Sequence, residues 1–174
     1  MQVVPLLREP PPAISRGIGR VMALYAYLEN ELQQIVYLLT GVSRKEGRLA
    51  IIEPSAKNRL ELIRDLLSVH KLKIPVRSGL LKEIENLTSS RNILAHGVWI
   101  KSSSHGYSAV STRGYWNTKE EGRKVTRKIK PGMVPWDTDG LNAFRADLGR
   151  VIDEAEALRA SVKAALASSP RKST

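Results

Sequence analysis

The sequence predicts a mainly α fold: an antiparallel helical bundle with a short β-hairpin or three-stranded ribbon inserted before the last long helix. Three observations predict it. Apolar residues recur at three- and four-residue spacing through four long segments, the signature of helices with one buried face. The period breaks after Gly97 into short runs bounded by Ser, Gly and Asn, which suits short antiparallel strands. It then returns from Thr138 or Asp139 to about Ala167.

The first helix spans Ser15 to Thr40, with Ile18, Val21, Met22, Tyr25, Leu28, Leu32, Ile35, Val36 and Leu39 on its apolar stripe and Gly41 as its C-terminal stop. Ser43-Arg44-Lys45-Glu46 has the spacing of a capping box, and Leu49, Ile51 and Ile52 before Pro54 suggest a short helix there. A second long helix starts after Ser55, a plausible N-cap, carries Leu60, Ile63 and Leu67, and ends near His70 and Lys71. A third runs from about Ser78 to His96, with Gly97 at a position where a left-handed residue is expected. Strands are predicted at Val98 to Ile100, Tyr107 to Trp116 and Arg123 to Lys130. In the last helix Leu141, Phe144, Leu148, Val151, Ala155, Leu158 and Val162 form the stripe. Residues 1–12 read as an N-terminal extension, 13–168 as a single helical domain carrying the ribbon 98–136, and 169–174 as a flexible tail.

Composition narrows the function classes. The 174 residues, 42% hydrophobic and 26% charged, suit one globular domain with a real core. No cysteine is present, which excludes a disulfide framework, a thiolate nucleophile and Cys-ligated zinc or iron–sulfur sites. The apolar patches before Pro10 are too short for a signal peptide. Val21 to Leu39 is interrupted by Glu29, Asn30, Glu31, Gln33 and Gln34, so a cytoplasmic protein without a membrane partner is expected. Gly17-Ile18-Gly19 lacks the strand and the spacing of a dinucleotide fingerprint, and no phosphate-binding loop exists.

The formal charge of +11 is unevenly spread. Residues 1–97 carry 14 basic and 9 acidic groups, residues 98–136 carry 8 and 2, and residues 137–174 carry 6 of each. Over half of the excess therefore lies in the ribbon, where a positive field attracts phosphate polymers.

In the third helix the seam positions are Leu80, Ile84, Leu87, Arg91 and Leu94, so an arginine occupies a place the pattern reserves for an apolar side chain. A guanidinium there needs an anionic or hydrogen-bonding partner, because an unpaired buried charge is costly. Thr88, Asn92 and His96 line up at four-residue spacing on the neighbouring face. Arg91 and His96 lie about 140° apart around a straight helix and share no face. Two bland readings stand beside a functional one. Arg91 snorkels to the surface or pairs with Glu29 or another acid, and His96 simply complements the helix dipole.

Arg91-Asn92-Ile93-Leu94-Ala95-His96-Gly97 resembles the Arg-polar-x-x-x-His motif of the HEPN superfamily. The resemblance would cover Ser15 to Ala167, with residues 98–136 as an appended ribbon. It implies a two-fold homodimer that brings two motifs into one cleft. The activity it implies is that of a metal-independent endoribonuclease of a toxin–antitoxin or phage-defence type, with no cofactor and, in a toxin pair, an antitoxin protein as a further partner. His96 would act as general acid/base at an RNA 2′-hydroxyl or leaving oxygen. Arg91 would bind the scissile phosphate and stabilise its developing charge. Asn92 would orient His96 or the phosphate. The implied products are a 2′,3′-cyclic phosphate and a 5′-hydroxyl. Some members of the superfamily have lost catalysis, so a catalytically inactive RNA- or nucleotide-binding module, or a structural dimerising protein, is the alternative.

Arg113, Arg123, Lys124, Arg127, Lys128 and Lys130, interleaved with Tyr107, Tyr115 and Trp116, combine phosphate-neutralising charge with rings on which unpaired bases stack, and they are the candidate RNA-binding residues. Lysines that protect a hairpin edge from aggregation give the same composition. Trp99 is expected in core or dimer packing. His70, His96 and His105 are too scattered for a metal site, and the acidic groups near Asp137 and Asp153 suit helix capping and a solvated face.

Overall fold

A computed structural model describes residues 6–43, 45–47, 55–102, 106–110, 117–121, 124–128 and 133–168. The chain is mainly α. Its elements in order are β1 (Leu6–Leu7), α1 (Pro12–Thr40), α2 (Ala56–Val69), α3 (Leu80–His96), β2 (Val98–Ser102), β3 (Gly106–Val110), β4 (Asn117–Glu121), β5 (Lys124–Lys128), β6 (Met133–Pro135) and α4 (Thr138–Ser168).

Local chemistry accounts for the helix ends. α1 begins at Pro12, three residues before the expected start, because a proline in the first turn has no amide hydrogen to leave unsatisfied. Ser15 instead sits inside that turn, donating from its hydroxyl to the carbonyls of Pro10 and Pro11. Gly41 adopts φ 68° and stops α1 in the left-handed conformation glycine tolerates best. The Ser43 hydroxyl accepts from the Glu46 amide at 3.2 Å, and the Glu46 carboxylate accepts from the Ser43 amide at 3.3 Å, a reciprocal capping box. Residues 45–47 are helical, and the apolar positions 49, 51 and 52 lie outside the described residues.

α2 is capped by Ser55, whose hydroxyl accepts from the Asn58 amide. It closes through Lys71 at φ 56° while the Leu72 amide reaches back to the Leu67 carbonyl. α3 starts two residues later than expected, at Leu80. α4 is opened by the Asp137 carboxylate, which accepts from the Gly140 amide at 2.7 Å.

The chain forms two compact units, each drawn from two stretches of sequence. One comprises Met1–Met22 and Ser89–Phe144. Its sheet has the antiparallel order β1-β2-β3-β6, and β4 and β5 form a separate two-stranded hairpin. The inserted segment is therefore a hairpin plus three strands of a four-stranded sheet, and residues read as a plain extension supply the fourth. Leu6 lies opposite Ile100 and Leu7 opposite Trp99. The buried residues of this unit include Ile14, Val21, Leu94, Trp99, Ala109, Trp136, Leu141 and Phe144. Trp136 and Phe144 meet edge to face at 5.5 Å between centroids. Trp99 is core, as its type suggests.

The other unit comprises Ala23–Thr88 and Arg145–Thr174. Buried Leu28, Leu32, Ile35, Leu60, Ile63, Ile84, Leu148, Val151 and Val162 form its apolar interior. Polar contacts join each helix to the next and the last to the first. Gln33 of α1 accepts from Arg59 of α2 at 2.9 Å. Lys57 of α2 meets Glu85 of α3 at 2.9 Å. Glu83 of α3 pairs with Arg150 of α4, and Arg77, just before α3, reaches Glu154 of α4 at 2.9 Å. Glu156 of α4 accepts from Tyr27 of α1 at 2.7 Å. The pairs Arg77–Glu154 and Glu83–Arg150 step in opposite directions, so α3 and α4 run antiparallel. Tyr27–Glu156 and Glu31–Arg159 step together, so α1 and α4 run the same way. No helix among the described residues is long and apolar enough to cross a membrane.

Candidate functional site

The apolar seam of α3 is real: Leu80, Ile84, Leu87 and Leu94 are all at most 5% exposed. Arg91, in the same seam, is only partly buried. Its Nη1 donates to the Asn92 carboxamide oxygen at 2.9 Å. This bond draws one guanidinium nitrogen toward Asn92. Asn92 lies about 100° around the helix from Arg91 and only about 40° from His96, so a guanidinium drawn over Asn92 lies near the line on which His96 stands. Glu29, the acid available from the sequence as an alternative partner, sits 3.8 Å from Arg59.

Asn92 and His96 are exposed. The His96 side chain has no hydrogen-bond or ion-pair partner among the described residues, and it occupies the last helical position of α3. The expected line Thr88, Asn92, His96 is shortened at one end. Thr88 is partly buried, its hydroxyl 2.6 Å from both the Ile84 carbonyl and the Tyr25 hydroxyl. Thr88 donates to Ile84, so the Tyr25 hydroxyl is the donor in the other bond, and Thr88 is structural.

Gly97 is needed for a reason different from the one expected. Its φ is not left-handed; the left-handed glycines among the described residues are Gly41 and Gly106. A Cβ at Gly97 would lie 2.4 Å from the Ile93 carbonyl oxygen, 3.2 Å from the Ala109 Cβ and 3.2 Å from the Val110 carbonyl oxygen. The absence of a side chain lets α3 turn directly into β2 with β3 packed against the turn. His96 is thereby held at the helix end, with only Gly97 between it and the sheet.

Of the six basic candidates, Lys124, Arg127 and Lys128 lie in β5, whose register places them opposite Glu121, Thr118 and Asn117 of β4. Arg113, Arg123 and Lys130 lie outside the described residues, as do Tyr115, Trp116 and His105. Tyr107 is in β3 opposite Lys101 of β2 and is partly buried. The strand expected over Tyr107 to Trp116 is described as far as Val110.

A cleft of about 500 Å³, unmarked by any motif, lies between α1 and α4. Gln34, Tyr37, Leu38 and Val42 line one side, Glu156, Arg159 and Lys163 the other. Behind it Glu31, 3% exposed, forms an ion pair with Arg159 Nε at 2.8 Å. The N–H does not point at the carboxylate oxygen, so the contact is Coulombic rather than a hydrogen bond. At the rim the Tyr27 hydroxyl is held above its usual range, first by its hydrogen bond to the Glu156 carboxylate and then by desolvation. The available signal was an acid, Glu31, placed between Leu28 and Leu32, with two cations four residues apart on the last helix.

Among the described residues no group of three His, Asp or Glu could hold a metal ion. Compared with family models, curated proteins and solved structures, the chain finds no match.

Proposed function

We propose that this chain is a HEPN-like RNA-binding protein of the cytoplasm, a metal-independent endoribonuclease of a toxin or phage-defence type that works as a homodimer. The observation that carries the reading is the Arg91 to Asn92 hydrogen bond, which directs a forked cation toward the line of an exposed imidazole at a helix end. Guanidinium and imidazole together can carry phosphodiester transfer at an RNA 2′-hydroxyl when no metal takes part.

In the proposed reaction one His96 takes the proton from the 2′-hydroxyl as that oxygen attacks phosphorus. The P–O5′ bond breaks, and the partner's His96 returns a proton to the leaving oxygen. The products are a 2′,3′-cyclic phosphate and a 5′-hydroxyl. Arg91 grips the non-bridging oxygens, and Asn92 holds the guanidinium in its working direction. The basic residues of the β4–β5 hairpin and its flanks would gather the strand. An antitoxin protein would be the natural partner of such a nuclease.

The test is incubation of purified protein with RNA in EDTA beside the His96→Ala variant. The reading predicts cleavage by the native protein, cyclic-phosphate ends, and loss of cleavage in the variant. Equal cleavage by both would remove His96 from catalysis. Salt-sensitive RNA binding without cleavage would leave an inactive binding module, and neither activity nor affinity would leave a structural dimer.

A further inference from the structure

The cleft between α1 and α4 has an imbalance of hydrogen-bonding groups that defines what fits it. Its carboxylates are already engaged: Glu156 accepts from Tyr27, and Glu31 is paired with Arg159. Its donors are not. Arg159 and Lys163 make no hydrogen bond among the described residues, and they project from one face of α4, one turn apart. The buried Glu31 carboxylate holds the guanidinium in place from behind through Nε, leaving the Nη groups for another acceptor. A ligand that completes this half of the cleft is therefore an acceptor with negative charge.

The opposite half is apolar apart from Gln34. Tyr37, Leu38 and Val42 line it, and the Tyr37 ring is held from one side by Gly47, where a Cβ would lie 2.3 Å from ring Cε1. Only a glycine lets the backbone lie so close to the ring, and that contact restricts where the ring can sit. A cavity of about 500 Å³ with an apolar wall and a few convergent donors is of the size and character of a small-molecule site.

From these features we infer that the α1–α4 cleft binds a small aromatic oxyanion, a planar ring that lies on Tyr37 and carries a carboxylate or phosphate received by Arg159 and Lys163. The site shares no residue with Arg91, Asn92 and His96, so it stands or falls apart from the nuclease reading.

The test is a titration of the full chain, followed through backbone amide NMR shifts, with phenyl phosphate, benzoate, inorganic phosphate and benzamide as probes. Phenyl phosphate or benzoate at millimolar concentration should shift amides of residues 34–42 and 156–163, and their relative affinities identify the preferred oxyanion. Inorganic phosphate should bind about tenfold more weakly, and benzamide should leave these amides unmoved. Lys163 is exposed, so Lys163→Gln keeps the fold and should weaken the aromatic anions by about five- to tenfold. Tyr37→Leu should bring phenyl phosphate down to the level of inorganic phosphate, and His96→Ala should bind as the native chain does. The inference is overturned if no aromatic anion moves these amides, if Lys163→Gln binds as tightly as the native chain, or if inorganic phosphate matches phenyl phosphate.

Discussion

Arg91 and Asn92 are neighbours in sequence, and their side chains are bonded to each other, Nη1 to Oδ1 at 2.9 Å. Adjacent residues on a helix point about 100° apart, so they meet only because the arginine is long enough to swing across the turn. On an ideal helix Arg91 and His96 stand about 140° apart and Asn92 and His96 about 40° apart, so the bond brings one guanidinium nitrogen to the Asn92 side.

Removing that bond should therefore uncouple the pair without unfolding the helix. Asn92→Ala, an exposed substitution, should leave the thermal melt within a degree or two of native and lower RNA cleavage about tenfold, the effect of a misdirected cation. Arg91→Ala should cost more, about a hundredfold, because the charge itself is lost. Single-turnover cleavage measures both, and a native rate in Asn92→Ala would detach this bond from the function.

Glycines at different places should respond in opposite directions. Gly97→Ala forces a Cβ to within 2.4 Å of the Ile93 carbonyl oxygen and should destabilise by about 1–3 kcal/mol. Gly19 and Gly149 lie within α1 and α4 with open space around the Cβ position. Alanine at either should stabilise by about 0.5–1 kcal/mol. Urea unfolding of the three variants distinguishes the two effects.

The Glu31–Arg159 pair should be sensitive to loss of one partner. Arg159→Ala leaves a carboxylate buried to 3% exposure and should cost about 2–3 kcal/mol. The double variant Glu31→Leu/Arg159→Leu should recover most of that loss, whereas Lys163→Ala should lie within about 0.5 kcal/mol of native. Additive single and double effects in denaturant would contradict the pairing.

Acid should weaken the fold partly through Glu85. Its carboxyl is held below the usual range by the Lys57 hydrogen bond first and by Lys82 next, so the folded state binds that proton less readily than the unfolded chain. The contribution is present above the unfolded carboxylate range and disappears as pH falls through the lower folded value. Glu46, lowered by its hydrogen bonds with Ser43, acts in the same sense. Stability curves between neutral pH and pH about 3 should fall less steeply for Glu85→Gln than for the native chain. Lys57 is raised by the same contact, so its share is lost only as pH rises through its folded value, in strongly alkaline solution.

Neutralising Arg123, Lys124, Arg127 and Lys128 to Gln should lower RNA affinity and flatten its salt dependence. The slope of log affinity against log salt should shrink by about 0.7 for each single-strand phosphate contact removed. An unchanged slope in filter binding would take the hairpin out of the interface.

Periodicity alone determined the helices and most of the buried set. Leu28, Leu32, Ile35, Leu60, Ile63, Ile84, Leu148 and Val151 are buried because each lies where a three- and four-residue repeat turns it inward. The capping pairs at Ser55 and at Ser43 with Glu46 were legible for the same reason: the partners lie within one turn of chain. The motif residues Arg91, Asn92 and His96 could likewise be singled out, since a cation in an apolar seam is visible as a break in the pattern.

What lies between distant residues, or in a choice among rotamers, only the tertiary structure decided. β1 is two residues long, too short to show any alternation, and is a strand only because β2 offers it an edge. Gly97 is a matter of space beside Ala109 and Val110 rather than of its own φ. The lean of Arg91 toward Asn92, the burial of Glu31 behind Arg159, and the Tyr37 wall against Gly47 are likewise three-dimensional facts. Local sequence specifies which face of each element is apolar. Which polar groups meet across those faces depends on packing, because every long side chain has several low-energy directions and only its neighbours choose one.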